Sequence, residues 1–178
     1  KMRDFEQKVL QFIDSEHLVN EGNRLLIACS GGVDSMALLT FFDKYKKMLG
    51  IELFVAHVDH MLRGEQSAGD RMFVEQFCES RNIPCFSTAI PIPQLLAERG
   101  GNSQAVCRKE RYAFFTAIMQ EQAIDTLVTA HHADDQLESM LMALTKASSL
   151  NGLKGILPIR NFYDYTVILT YMSLVSAV

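Results

Sequence analysis

SGGVDS, residues 30–35, lies between an apolar run, Leu25 to Cys29, and a second one that begins at Met36. The first run is five residues long, too short for a helix and right for a buried strand. Residues 34–48 carry helical periodicity, and Gly50 stops it. The stretch is therefore a strand, a glycine turn and a helix. Gly31 and Gly32 permit a tight turn whose backbone N–H groups converge, and the helix start adds its positive end, so an anion fits there. An ordinary turn with Ser30 as helix N-cap accounts for the same residues. The string differs from GxxxxGK[ST] because no lysine follows the second glycine. Asp34 places a carboxylate at the same spot.

Outward from that stretch the pattern repeats. Phe5, Val9, Phe12 and Ile13 follow helical spacing ahead of the first strand. IELFVAH (51–57) reads as a second strand, 67–81 as a helix, 84–89 as a third strand, and 90–103 as a loop rich in Pro, Gly and Asn. A long helix over 104–121, a strand over 125–130 and a helix over 133–146 follow, and the uncharged, β-prone residues 165–178 suggest a final strand. Strand and helix alternate four times, which predicts an α/β domain with a doubly wound parallel sheet.

The chain has 178 residues, 48% of them hydrophobic, enough for one domain with one core. No apolar stretch reaches membrane-spanning length, and the N-terminus is amphipathic, so a cytoplasmic setting away from membranes is expected. Cys29, Cys78, Cys85 and Cys107 form no CxxC pair and read as reduced core residues. The net charge of −4 argues mildly against nucleic acid as partner, while the clusters Lys44, Lys46, Lys47 and Arg108, Lys109, Arg111 keep it open.

Ligands of open α/β sheets bind beyond the carboxyl ends of the strands. Three polar clusters fall there: SGGVDS after the first strand, HVDHMLRG (57–64) after the second, and HHADDQLE (131–138) after the fourth. In the helix over 104–121, a turn of 100° per residue puts Cys107, Arg108, Arg111, Phe115 and Ile118 on one stripe, so two arginines share the apolar face. Both sit in its first turns, where the dipole disfavours cations. Such arginines need an anion, either a protein carboxylate or a substrate phosphate. In the helix over 133–146, Asp134 and Glu138 border the apolar stripe and Asp135 lies further round. These acids suit a first turn by themselves, or could position a metal or an amine nucleophile. His57, His60, His131 and His132 stand at strand ends, where packing, contact with nucleotide or substrate, and, less well, zinc are open readings.

The string SGGVDS resembles the PP-loop of the N-type ATP pyrophosphatases, which cleave ATP between its α and β phosphates. Together with AHVDHMLRG (56–64), RKERYAFF (108–115), TAHHADDQLES (129–139) and SSLNGLKGILPIR (148–160), it is similar, over residues 23–160, to the tRNA(Ile)-lysidine synthase family. The resemblance implies a Rossmann-like, adenine nucleotide alpha hydrolase-like fold and a ligase. Such an enzyme joins free L-lysine to C2 of the wobble cytidine of tRNA(Ile) with a CAU anticodon, through an adenylated cytidine, with release of pyrophosphate and AMP.

Position by position, the resemblance implies an ATP and Mg²⁺ loop of Ala28, Ser30, Gly31, Gly32, Val33, Asp34 and Ser35, with His57 as a further nucleotide contact and Asp34 as the Mg²⁺ ligand. It gives Arg111, supported by Arg108, to the transferring phosphate, and Asp135 and Glu138 to lysine, the metal or the base. It gives His60, Arg63, His131 and Asp134 to substrate. A carboxylate beside polyphosphate then makes sense, because a divalent cation lies between them. The chain departs from the family at Lys146, Ala147 and Ser149, and after Tyr165. The expectation is a single N-terminal catalytic domain over 1–178, a fragment without the family's C-terminal tRNA-binding domains. The rivals are a tRNA 2-thiolation enzyme with the same loop, and a module that binds ATP without turning it over.

Overall fold

In the computed structural model, residues 6–7, 10–11, 13–14, 19–61, 65–131, 160–162 and 165–171 are described, with the backbone alone at 33–34, 66–67, 130–131, 160–162 and 165–171. The elements run β1 (Arg24–Ala28), α1 (Val33–Leu49), β2 (Glu52–Asp59), α2 (Glu65–Ser80), β3 (Cys85–Ala89), α3 (Ile92–Arg99), α4 (Ser103–Glu121), β4 (Thr126–His131), β5 (Arg160–Phe162) and β6 (Tyr165–Tyr171). They build one six-stranded sheet in the order β3-β2-β1-β4-β6-β5. β1 pairs in parallel with β2 and β4, β2 with β3, and β4 with β6, while β5 closes the edge antiparallel to β6. The expected parallel α/β sheet is present. The order reverses direction at β1, and this switch point is where such sheets open a crevice.

Side chains alternate across the strands, so each face of β1 and β2 feeds its own core. Leu25, Ile27, Leu53 and Val55 pack with Leu39 and Phe42 of α1 and Val74 of α2. Leu26, Phe54 and Ala56 pack on the other face with Phe115, Ile118 and Met119 of α4. Ile13, in the helical residues ahead of β1, belongs to the first core.

Two expectations are corrected. Residues 90–103 contain the helix α3: Pro93 stands in its first turn, where no intrahelical N–H is needed, and Gly100, at φ +68°, ends it. Arg108 and Arg111 do not share an environment, since Arg111 is half-buried with its Nε enclosed and Arg108 is exposed. The helix over 133–146 and the residues of the HHADDQLE cluster beyond His131 lie outside the described residues, as does Arg63. All four thiols are free, with Cys29 and Cys78 buried and Cys85 and Cys107 half-buried. A hydrogen bond to Cys85, then burial, holds the Cys78 proton well above the ordinary thiol range. Among the described residues no helix is long and apolar enough to cross a membrane.

Candidate active site

The chain leaves β1 at Ala28 and turns through Ser30 to Gly32 before α1. Gly31 takes φ +89°, a conformation glycine adopts without a steric penalty. A Cβ at Gly31 would lie 3.1 Å from the Asp70 Cβ, so α2 packs directly behind the turn. Gly32, not Ser30, is the N-cap of α1, and no side chain caps it. The contrast is α4, where the Asn102 Oδ1 accepts from the N–H groups of Gln104 and Ala105. The first N–H groups of α1 are therefore not taken by a side-chain cap, and they suit an anion.

Ser35, 6% exposed, organises the turn from inside. Its Oγ accepts from the Ser30 N–H (3.2 Å) and donates to the Gly32 carbonyl (3.1 Å). The Gly32 N–H in turn donates to the Ser30 Oγ at 3.3 Å. The Cys29 thiol reaches the Ser35 Oγ at 3.6 Å from the core side. These bonds tie the loop to itself through Ser30, Gly32 and Ser35.

Beside the loop is a cavity of about 100 Å³. Ala28, Ala56, Val58 and Phe115 supply its apolar lining, and Ser30, Ser35, His60 and Arg111 polar groups. Small residues meet here because Ala28 pairs in register with both Ala56 and Thr129. The Arg111 Nε and the His60 Nε2 are buried there without hydrogen-bond partners. Burial, with Arg108 adding to it, lowers the Arg111 guanidinium from its ordinary pKa, yet an arginine keeps its charge. None of the ion pairs among the described residues includes Arg111. Burial first, and then the Arg111 charge, lowers His60, with Asp59 opposing. A half-buried cation with an enclosed, unpaired Nε and an imidazole on one small cavity suit an anion. A larger cleft of about 400 Å³ opens elsewhere, by Lys46, Lys47 and Asn82, but no buried unpaired polar atom among the described residues lines it.

Of the residues singled out from the sequence, Ala28, Ser30, Ser35, His60 and Arg111 line this cavity, and Gly31, Gly32, Val33 and Asp34 continue its loop into α1. His57 lies on the opposite face, 2% exposed, with its Nδ1 2.8 Å from the Cys29 carbonyl. The Arg108 guanidinium sits 5.9 Å from the centre of the Tyr112 ring. His131 is the last residue of β4; Arg63, Asp134, Asp135 and Glu138 are outside the described residues. Ala56, Val58 and Thr129 were not singled out, although their place at the carboxyl ends of the strands beside β1 marks them.

The chain matches the family profile of the PP-loop domain over residues 2–171. It is 36% identical over 156 residues to the tRNA(Ile)-lysidine synthase of Clostridium perfringens, covering 88% of this chain and 33% of that protein. Identity to the tRNA(Ile)-lysidine synthase of Bacillus licheniformis is 40% over 156 residues, again 88% and 33% of the two chains. The Bacillus subtilis enzyme of that name is 36% identical over 170 residues, 94% and 35%. This chain thus spans about a third of the length of these curated relatives. Among solved structures, the U34-tRNA thiolase NcsA from Methanococcus maripaludis superposes with a TM-score of 0.62 at 19% identity, covering 82% of this chain and 50% of that one, a likeness of fold. With its uncapped glycine turn between β1 and α1, at the switch point of a parallel sheet, the chain belongs to the PP-loop domain family.

Proposed function

We propose that this chain is the ATP-activating part of a tRNA(Ile)-lysidine synthase. The observation that carries the activation chemistry is the half-buried Arg111, its Nε enclosed and unpaired, lining the same cavity as Ser30 and Ser35 of the loop. Lysine as the nucleophile is supported by the relatives of that name at 35–40% identity.

In this reading the loop and the start of α1 hold the polyphosphate of ATP, and Ala28, Ala56, Val58 and Phe115 border the nucleoside. The cytidine O2 attacks the α-phosphorus, the bond to the pyrophosphate oxygen breaks, and the base carries AMP on O2. Arg111 gains strength as charge builds on the phosphate oxygens in the transition state. The ε-amine of free lysine then adds at C2, and O2 departs with AMP. The amine must first lose a proton, for which Asp134, Asp135 and Glu138 are the carboxylate candidates, and the same cluster with His131 and Arg63 would bind lysine and the anticodon of tRNA(Ile).

Mg²⁺ fits the donor set, since an anion site with a carboxylate residue, Asp34, at its helix start needs a cation between like charges. Asp34 would hold it, and it would supply neutralisation of the polyphosphate. Neutral His60 at the cavity fits contact with the nucleotide or the base. Arg108, exposed one turn before Arg111, fits a supporting electrostatic role. Residues 1–178 form a single catalytic domain in this reading, in the cytoplasm, where its thiols stay reduced.

The test is AMP release from Mg·ATP by the full-length protein with lysine and a tRNA(Ile) bearing CAU, against omission of each and against Asp34→Ala. Release that needs both lysine and tRNA and is lost in the variant is the expected result. Release that needs a sulfur donor instead of lysine would assign a thiolation enzyme, and no release with intact ATP binding would leave a binding module.

A further inference from the structure

The ladder between β1 and β2 ends where the loop begins, and the way it ends involves a side chain. The Cys29 N–H makes the last rung, donating to the Ala56 carbonyl at 2.9 Å. The next group along, the Cys29 carbonyl, is bonded by the His57 ring at 2.8 Å. A carbonyl can only accept, so Nδ1 carries the proton, and the ring's acceptor is then Nε2 if the imidazole is neutral. His57 is 2% exposed and 28 positions away on the neighbouring strand, on the face shared by Leu53 and Val55. Cys29 directly precedes Ser30, whose N–H begins the internal bonding of the turn through Ser35.

We infer that His57 is a positioning residue for the phosphate loop, acting through the Cys29 carbonyl by replacing a backbone rung with an imidazole N–H. A backbone rung at that point would hold residues 29–30 to the line of β2. An imidazole donor satisfies the carbonyl from the flank and frees the chain to turn up into Ser30 and Gly31. The buried carbonyl would otherwise be left without that partner, and the loop's first residue would shift to find another. The inference rests on reading the loop as the ATP site, and it gives His57 an indirect part in binding in place of a direct nucleotide contact.

The chemistry of the donor supplies the test. The Asn side-chain N lies as far along its side chain as the imidazole Nδ1, and the Gln side-chain N matches Nε2. His57→Leu, His57→Asn and His57→Gln would be compared in the full-length protein by calorimetric binding of Mg·ATP and by amide exchange at Ser30, Gly31 and Gly32. Steady-state AMP release would add the split between KM and kcat. The expected result is that Leu and Gln weaken Mg·ATP binding about tenfold and speed loop exchange, and that Asn restores both, with KM for ATP moving more than kcat.

Rescue by Gln but not Asn, or lost binding with loop exchange unchanged, would overturn the inference in favour of direct contact through Nε2. Wild-type affinity and exchange in the Leu variant would overturn it outright. If the Leu variant does not fold, the contrast between Asn and Gln decides. If the wild type binds no Mg·ATP, the ATP reading fails, while loop exchange in the same variants still decides whether His57 places the loop.

Discussion

Gly31→Ala separates the two demands that the loop makes on one residue. The first is conformational. At φ +89° an alanine pays about 1–2 kcal/mol for the left-handed backbone. The second is spatial: the new methyl would lie 3.1 Å from the Asp70 Cβ, 3.3 Å from its carbonyl oxygen and 3.4 Å from its Cα. Two of those three atoms are backbone of α2, so the neighbour is a helix, and displacing it by a few tenths of an ångström costs about 1 kcal/mol more. Gly22 is the internal control, because it has the same φ of +89° and nothing within 4 Å of the added methyl. Urea unfolding at constant m should therefore give about 1–2 kcal/mol for Gly22→Ala and about 2–3 for Gly31→Ala. Mg·ATP affinity should fall at least tenfold in Gly31→Ala alone, because only that substitution moves the turn proposed to hold the polyphosphate. Equal destabilisation of the two variants, or unchanged ATP affinity in Gly31→Ala, would refute the account of α2 as the backing of the loop.

Arg111→Met should lower the rate of AMP release about 10²–10³-fold while leaving the melting temperature unchanged or raised, since it removes a half-buried charge that lacks an ion-pair partner among the described residues. Arg111→Lys should recover little of the rate, because a point charge does not reproduce the planar fork. Arg108→Ala, at an exposed position, should cost less than tenfold in the same assay. His60 has a pKa below its ordinary value, and Arg111, Asp59 and His57 are the charged and titratable groups acting on it. The unfolded chain therefore takes up its proton first as pH falls through about 6.5, and the fold loses stability from there down to the lower folded value. Melting temperatures between pH 7.5 and 5.5 should accordingly fall less steeply in His60→Gln than in the wild type. Asn102→Ala should cost about 1 kcal/mol by urea unfolding, because α4 loses the acceptor for two N–H groups.

Much of this fold was legible because apolar runs and helical spacing report burial directly. β1 through α2 and β4 come within a few residues of the periodicity. α3 was hidden by residues whose meaning depends on position. Pro91, Pro93, Gly100 and Gly101 read as loop when counted together, yet a proline in a first turn and a glycine after a last one bracket Gln94–Glu98, which are good helix formers. β5, three residues long, is held by its pairing with β6 and leaves no periodicity of its own to read.

Arg108 shows a different limit, which also explains where the site is. Helical spacing gives the angle of a side chain around the axis and says nothing of its height along it. Arg108 and Arg111 share an angle, but the chain from Ser103 to Ala105 is exposed, and burial on α4 becomes complete only at Phe115, Ile118 and Met119. The helix thus begins outside the core and runs down into it. Arg111 stands at the level of that transition, half-buried, with its Nε shielded from water, and it lines the cavity with Ala28 and Ala56. A guanidinium one turn earlier is solvated and weak as an electrostatic catalyst, and one turn later, at the level of Phe115, it would have to give up far more of its hydration to reach the same cavity. The site therefore lies where the helix enters the core, and sequence periodicity alone specifies only one of the two coordinates that place a charge there.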